Sequence, residues 1–115
     1  MSPAEALADL ADLSTQVRVA VLAEREGTVL ASTLADDERS QQIATAAGAA
    51  LDAAARLRAH GDAAVSGLEA SLGDGSLFVA SGDGVLIAAT TGPEEPAGLV
   101  LYDLRTCLRR LAEDA

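Results

Sequence analysis

A chain of 115 residues is long enough to bury one hydrophobic core and too short for two, so a single domain over residues 1–115 is expected. Its formal net charge of −10, from 18 acidic and 8 basic residues, argues against nucleic acid or an anionic membrane surface as a partner and fits a soluble cytoplasmic protein. With Phe78 and Tyr102 the only aromatic residues, the chain can build neither a base-stacking platform nor an aromatic ligand cage.

Along the chain, Ser2-Pro3-Ala4-Glu5 reads as a capping box with proline in the first helical turn, opening a short helix through Leu7, Leu10 and Leu13. The start MSPAEALADLADL has neither the basic region nor the continuous apolar core of a signal peptide, and no run approaches the ~20 apolar residues of a membrane span. Val17 to Ala23 and Thr28 to Thr33 form a predicted hairpin around Gly27. Asp36 or Asp37 then caps a long helix that runs to His60, with Gly61 ending it. Three strands follow, Ala64 to Leu72, Ser76 to Ser81 and Val85 to Thr91. Their tight turns are Gly73-Asp74-Gly75 and Gly82-Asp83-Gly84, which makes an antiparallel meander. Leu77 and Val79 alternate with Phe78 and Ala80, and Leu86 and Ala88 with Val85, Ile87 and Ala89, so both faces of the sheet must be covered. Leu101, Leu104, Leu108 and Leu111 mark a last amphipathic helix from Ala97 to Ala112. The expected fold is α+β. A five-stranded antiparallel sheet carries the long central helix on one face and the two terminal helices on the other.

The long helix is the unusual element. Gln41, Thr45, Asp52 and Arg56 fall on one stripe and leave an apolar arc of roughly 220°, far more than one core needs. Ile43, Leu51 and Leu57 supply bulk, while the intervening alanines and Gly48 leave a surface flat enough for another backbone to approach. A helix buried on two sides follows, its second side meeting a second copy of itself.

Reactive chemistry is sparse. No stretch reads as a phosphate-binding P-loop, and lysine is absent altogether. The two Gly-Asp-Gly turns neither open a helix nor space oxygen ligands as a calcium loop does. One cysteine and one histidine, far apart, do not make a zinc site, and no cofactor is expected. His60 is the only imidazole that could activate Ser66, Ser71 or Ser81, and a helix C-terminus is sufficient reason for a histidine there. Cys107, on the edge of the last helix's apolar face, reads as a buried thiol that cannot form a disulfide within the chain. Asp36-Asp37-Glu38 serves the helix start. Arg25, at the hairpin tip between Glu24 and Glu26, reads as solvated surface paired with those acids, although an arginine there could in principle reach into a partner's nucleotide site. An enzyme is not expected.

The segments VAVLAEREGTVLAST, the alanine-rich helix from Asp37, GSLFVASGDGVLIAAT and LYDLRTCLRRL, in this order, resemble the Roadblock family of dynein-light-chain-related proteins, over about Ala4 to Leu111. That family includes bacterial regulators of Ras-like GTPases, and a genome rich in GC accords with arginine replacing lysine throughout. The resemblance implies a homodimer joined through the central helix and the next strand. Mapped here, that seam comprises Ile43, Ala46, Ala47, Ala50, Ala53, Ala54 and Leu57 on the helix and Val65, Leu68 and Ala70 on the strand. It further implies regulation of a small Ras-like GTPase without an inserted arginine, either as an activator of hydrolysis or as a scaffold, the latter extending to sensor-kinase complexes. The stripe Gln41, Thr45, Asp52 and Arg56 is then the expected GTPase-facing surface. The third reading is a small-ligand sensory domain of profilin, PAS or GAF type, which would need a roomy pocket with a few polar groups.

Overall fold

A computed structural model describes residues 1–57 and 66–113. The elements are α1 (Pro3–Leu13), β1 (Val17–Glu24), β2 (Val29–Ser32), α2 (Asp37–Arg56), β3 (Gly67–Ser71), β4 (Ser76–Gly82), β5 (Val85–Thr91) and α3 (Ala97–Glu113). The strands form one antiparallel sheet in the order β2-β1-β5-β4-β3, so the hairpin and the meander meet where β1 pairs with β5, and β2 and β3 are the two edges. The α+β architecture expected from the sequence is the one observed. The predicted helix stop at His60 and Gly61, and Val65, lie outside the described residues.

Local chemistry accounts for the element ends. Ser2 accepts a hydrogen bond from the Glu5 backbone N–H at 3.1 Å, and the Glu5 carboxylate accepts from the Ser2 N–H at 3.2 Å, which satisfies two amides at the start of α1. Asp36, not Asp37, caps α2, its carboxylate accepting from the Arg39 N–H at 3.0 Å. Ser40 anchors that first turn to the sheet, donating to the Ser32 hydroxyl at 2.7 Å or to the Asp36 carbonyl at 2.9 Å. At the β4–β5 turn Asp83 (φ 55°) and Gly84 (φ 78°) are both left-handed, the geometry that matches a two-residue turn to the twist of the strands. Gly75 meets a different demand: a Cβ there would collide with the carbonyl oxygen of Thr91, so only glycine lets β4 begin beside the end of β5.

The two faces of the sheet are packed with residues of different size. Below it, Leu22, Phe78 and Ile87 meet Leu7 and Leu10 of α1 and Val100, Leu104 and Leu108 of α3. Above it, Val21, Ala23, Val79, Leu86 and Ala88 meet Ala44, Ala47 and Leu51 of α2. Consecutive residues of β4 and β5 serve opposite layers, which is why neither strand has a polar face. Small side chains in the upper layer bring α2 close to the sheet. Cys107 is buried in the lower layer, its thiol donating to the Ala6 carbonyl at 3.6 Å. Burial and the neighbouring Asp9 carboxylate push its pKa up to about 11, so it is protonated and unreactive near neutral pH. Among the described residues no helix is long and apolar enough to cross a membrane.

Candidate functional site: the outer face of α2

Residues of α2 at alternating four- and three-residue spacing, Ser40, Ala44, Ala47 and Leu51, turn into the sheet and are buried. The opposite side is exposed and apolar, with Ala46, Ala49 and Ala53 forming a flat strip that ends at Leu57, 85 % of whose surface is open to solvent. Ile43, Ala50 and Ala54 flank the strip and are half-buried. Ala47, assigned to the intersubunit seam in the sequence reading, is fully buried against the sheet and has no surface left for a partner. The periodicity located an apolar surface on two sides of the helix. It could not say where the core-facing sector stops and the outward sector begins, because alanine occupies both.

β3 lies beside this face as an edge strand, hydrogen-bonded among the described residues on one side only, to β4. Leu68 packs against the layer beneath α2, Ala70 is half-buried, and both project to the α2 side of the sheet in register with Val79 and Leu77.

The polar stripe on α2 has a role that the sequence reading missed. Gln41 donates from Nε2 to the carbonyl of Gly27 at 2.7 Å and to Thr45 Oγ1 at 3.3 Å. Arg25 extends from the tip of the β1–β2 hairpin to the helix, where Nη2 pairs with Asp52 Oδ1 at 2.7 Å and Nη1 approaches the Gly48 carbonyl at 3.4 Å. A Cβ at Gly48 would lie 3.4 Å from the guanidinium, so the helix approaches the arginine closely here. Two of the four stripe residues, Gln41 and Asp52, therefore strap the hairpin to the helix, while Thr45 accepts from Gln41 within α2. Arg56 is exposed and makes no ion pair with another described residue. The expected pairing of Arg25 with its sequence neighbours is not what forms. Glu24 lies beside Glu26 instead, and that second carboxylate, which can accept a hydrogen bond from the protonated Glu24 and repels its charged form, raises the Glu24 pKa. The Arg25–Asp52 contact spans 27 residues of sequence, and nothing local announces it.

Because Asp52 is 64 % exposed, water screens the pair. A double-mutant cycle with Arg25→Ala and Asp52→Ala in urea denaturation is expected to give a coupling of about 0.2–1 kcal/mol. A coupling indistinguishable from zero would mean that Gln41 alone holds the hairpin to the helix.

No family profile matches the chain, and no curated protein does. Solved structures match it along nearly its whole length. A Roadblock/LC7 domain from Streptomyces avermitilis superposes with a TM-score of 0.87 at 19 % identity, covering 98 % of this chain and 97 % of that one. MglB in a tetrameric arrangement has a TM-score of 0.70 at 25 % identity, with 95 % and 86 % covered. The gliding protein MglB from Thermus thermophilus has a TM-score of 0.72 at 24 % identity, with 96 % and 88 % covered. The chain is built on the Roadblock/LC7 fold, in agreement with the resemblance drawn from its sequence.

Proposed function

We propose that this chain is a non-enzymatic, homodimeric regulator that binds a small Ras-like GTPase and modulates its GTP hydrolysis. The observation that carries the reading is the outward apolar strip Ala46, Ala49, Ala53 and Leu57 on the helix beside the edge strand β3. An outward apolar strip of this kind is a candidate contact surface, and a two-fold axis would present the same strip from a second copy. The seam comprises that strip with Ile43, Ala50 and Ala54 on its flank and Leu68 and Ala70 on β3. The stripe Gln41, Thr45, Asp52 and Arg56 then borders the groove between paired helices and faces the GTPase, with the strapped hairpin forming the groove's wall. Likeness to MglB and Roadblock/LC7 structures supports the regulatory class.

The test is phosphate release from a Ras-like GTPase encoded beside this chain, with and without the purified protein. A changed hydrolysis rate and co-elution on a sizing column are the expected results. Co-elution with an unaltered rate would assign a scaffold instead, and neither effect would overturn the reading.

A further inference from the structure

The edge strand β3 has a second face, turned toward α3. Leu68 and Ala70 project to the α2 side of the sheet, so Gly67, Glu69 and Ser71 project to the other. Arg105 of α3 reaches the start of this strand: a Cβ on Gly67 would lie 2.8 Å from Arg105 Nη2 and 3.5 Å from Leu101 Cδ2. With no side chain on Gly67, the guanidinium lies against the backbone of β3, two residues from Glu69 on the same face. Arg105 shares a groove with Asp83, Arg109 and Glu113, and it makes no ion pair with these or with any other described residue. Glu69 is exposed and likewise has no ion pair among the described residues. A cation and an anion thus stand side by side at the sheet edge without meeting.

We propose that Arg105 positions the seam between two copies of this chain by pairing, across the two-fold axis, with the partner's Glu69. The inference rests on the dimer reading above and names the contact that sets β3 of one copy against β3 of the other. The α2 strips of two copies meet on one side of the sheet when the axis is normal to it, and such an axis makes the two β3 strands antiparallel. An edge strand is a template for another strand, and full overlap of two five-residue strands sets Glu69 opposite the partner's Glu69. Like charges directly opposite each other oppose pairing. Arg105 relieves this, because the partner's Glu69 lies diagonally across from Gly67, a separation that a long side chain spans. Along the α3 side of the seam the charges then run arginine, glutamate, glutamate, arginine. A second copy therefore brings each guanidinium a carboxylate, and each carboxylate a guanidinium, in place of a bare repulsion at the centre.

Arg105→Glu and Glu69→Arg change exposed positions and should leave the fold, read by circular dichroism, intact. Sedimentation of each variant alone is expected to show a dimer dissociation constant raised about tenfold or more, since both symmetric contacts turn repulsive at once. Mixed in equal amounts, the two variants should associate nearly as tightly as the unaltered chain, because opposite charges then face each other across the axis at both contacts. A pair formed within one chain could not be rescued by mixing. Arg109→Glu, the same charge change one turn along α3, should leave association unchanged. The proposal is overturned if the unaltered chain is a dimer and either single variant dimerises as tightly, or if the mixture associates no more tightly than its parts. It is likewise overturned if Arg109→Glu weakens the dimer as much as Arg105→Glu. An unaltered chain that sediments as a monomer would instead overturn the dimer reading, and the pairing with it.

Discussion

Replacing Ala53 with arginine is expected to leave this protein folded and to turn the proposed dimer into a monomer of 11.6 kDa. Ala53 is exposed at the centre of the outward strip of α2, so the arginine clashes with nothing in its own chain. Within the helix the exchange costs only a few tenths of a kcal/mol in propensity. In the seam, each copy would bury a guanidinium without a partner, and the two-fold axis would set two like charges close together. The penalty for each desolvated charge is several kcal/mol, and each 1.4 kcal/mol is a factor of about ten in affinity, so association should weaken by at least about a thousandfold. Light scattering with circular dichroism checks both halves. Unchanged helical signal with halved mass is the expected outcome, and a variant that stays dimeric would move the interface off this face.

Phe78→Ala is expected to cost about 3–5 kcal/mol, the range for deleting a fully buried aromatic side chain. Phe78 is the largest of the fully buried side chains. It projects from the middle of β4 into the layer that holds Leu7, Leu10, Ile87 and Leu104, opposite Ala89 of β5. With alanines at 80 and 89 beside it, there is little bulk nearby to collapse into the space it leaves. A domain of this size has about 5–15 kcal/mol in total, so the melting temperature should fall by more than about 10 °C. Phe78→Leu should recover most of the loss, since much of the volume returns. Thermal unfolding of the three proteins checks this, and a loss below about 1 kcal/mol for Phe78→Ala would mean that the helices below the sheet close the cavity.

The fold was legible because its signals are local and repeated. The capping box at Ser2, the glycine turns, and the two-faced apolar strands around Phe78 and Ile87 each specify an element or its burial without long-range information. The site was legible only in outline. Periodicity located an apolar arc on α2, yet a run of alanines carries no mark of which methyl faces the sheet, and so Ala47 was placed on the wrong side. Nor could spacing reveal that Arg25 crosses to Asp52, because a contact between a hairpin tip and a distant helix exists only after both have packed on the sheet. The approach of Arg105 to Gly67 is likewise a product of packing: Arg105 reads as an ordinary outward member of an amphipathic helix until its guanidinium is seen against the sheet edge.

The upper layer of the core has one more consequence. Ala44 and Ala47 of α2 are fully buried in the same layer as Ala23 and Ala88 of the sheet, beside the bulkier Leu51, Val79 and Leu86. A larger residue at either position would lift or tilt the helix as a rigid rod, and its outer surface would travel with it. Changes at sites that no partner ever touches would in this way retune how the two subunits of the proposed dimer mate, so divergence among relatives should be read first in the hidden alanines.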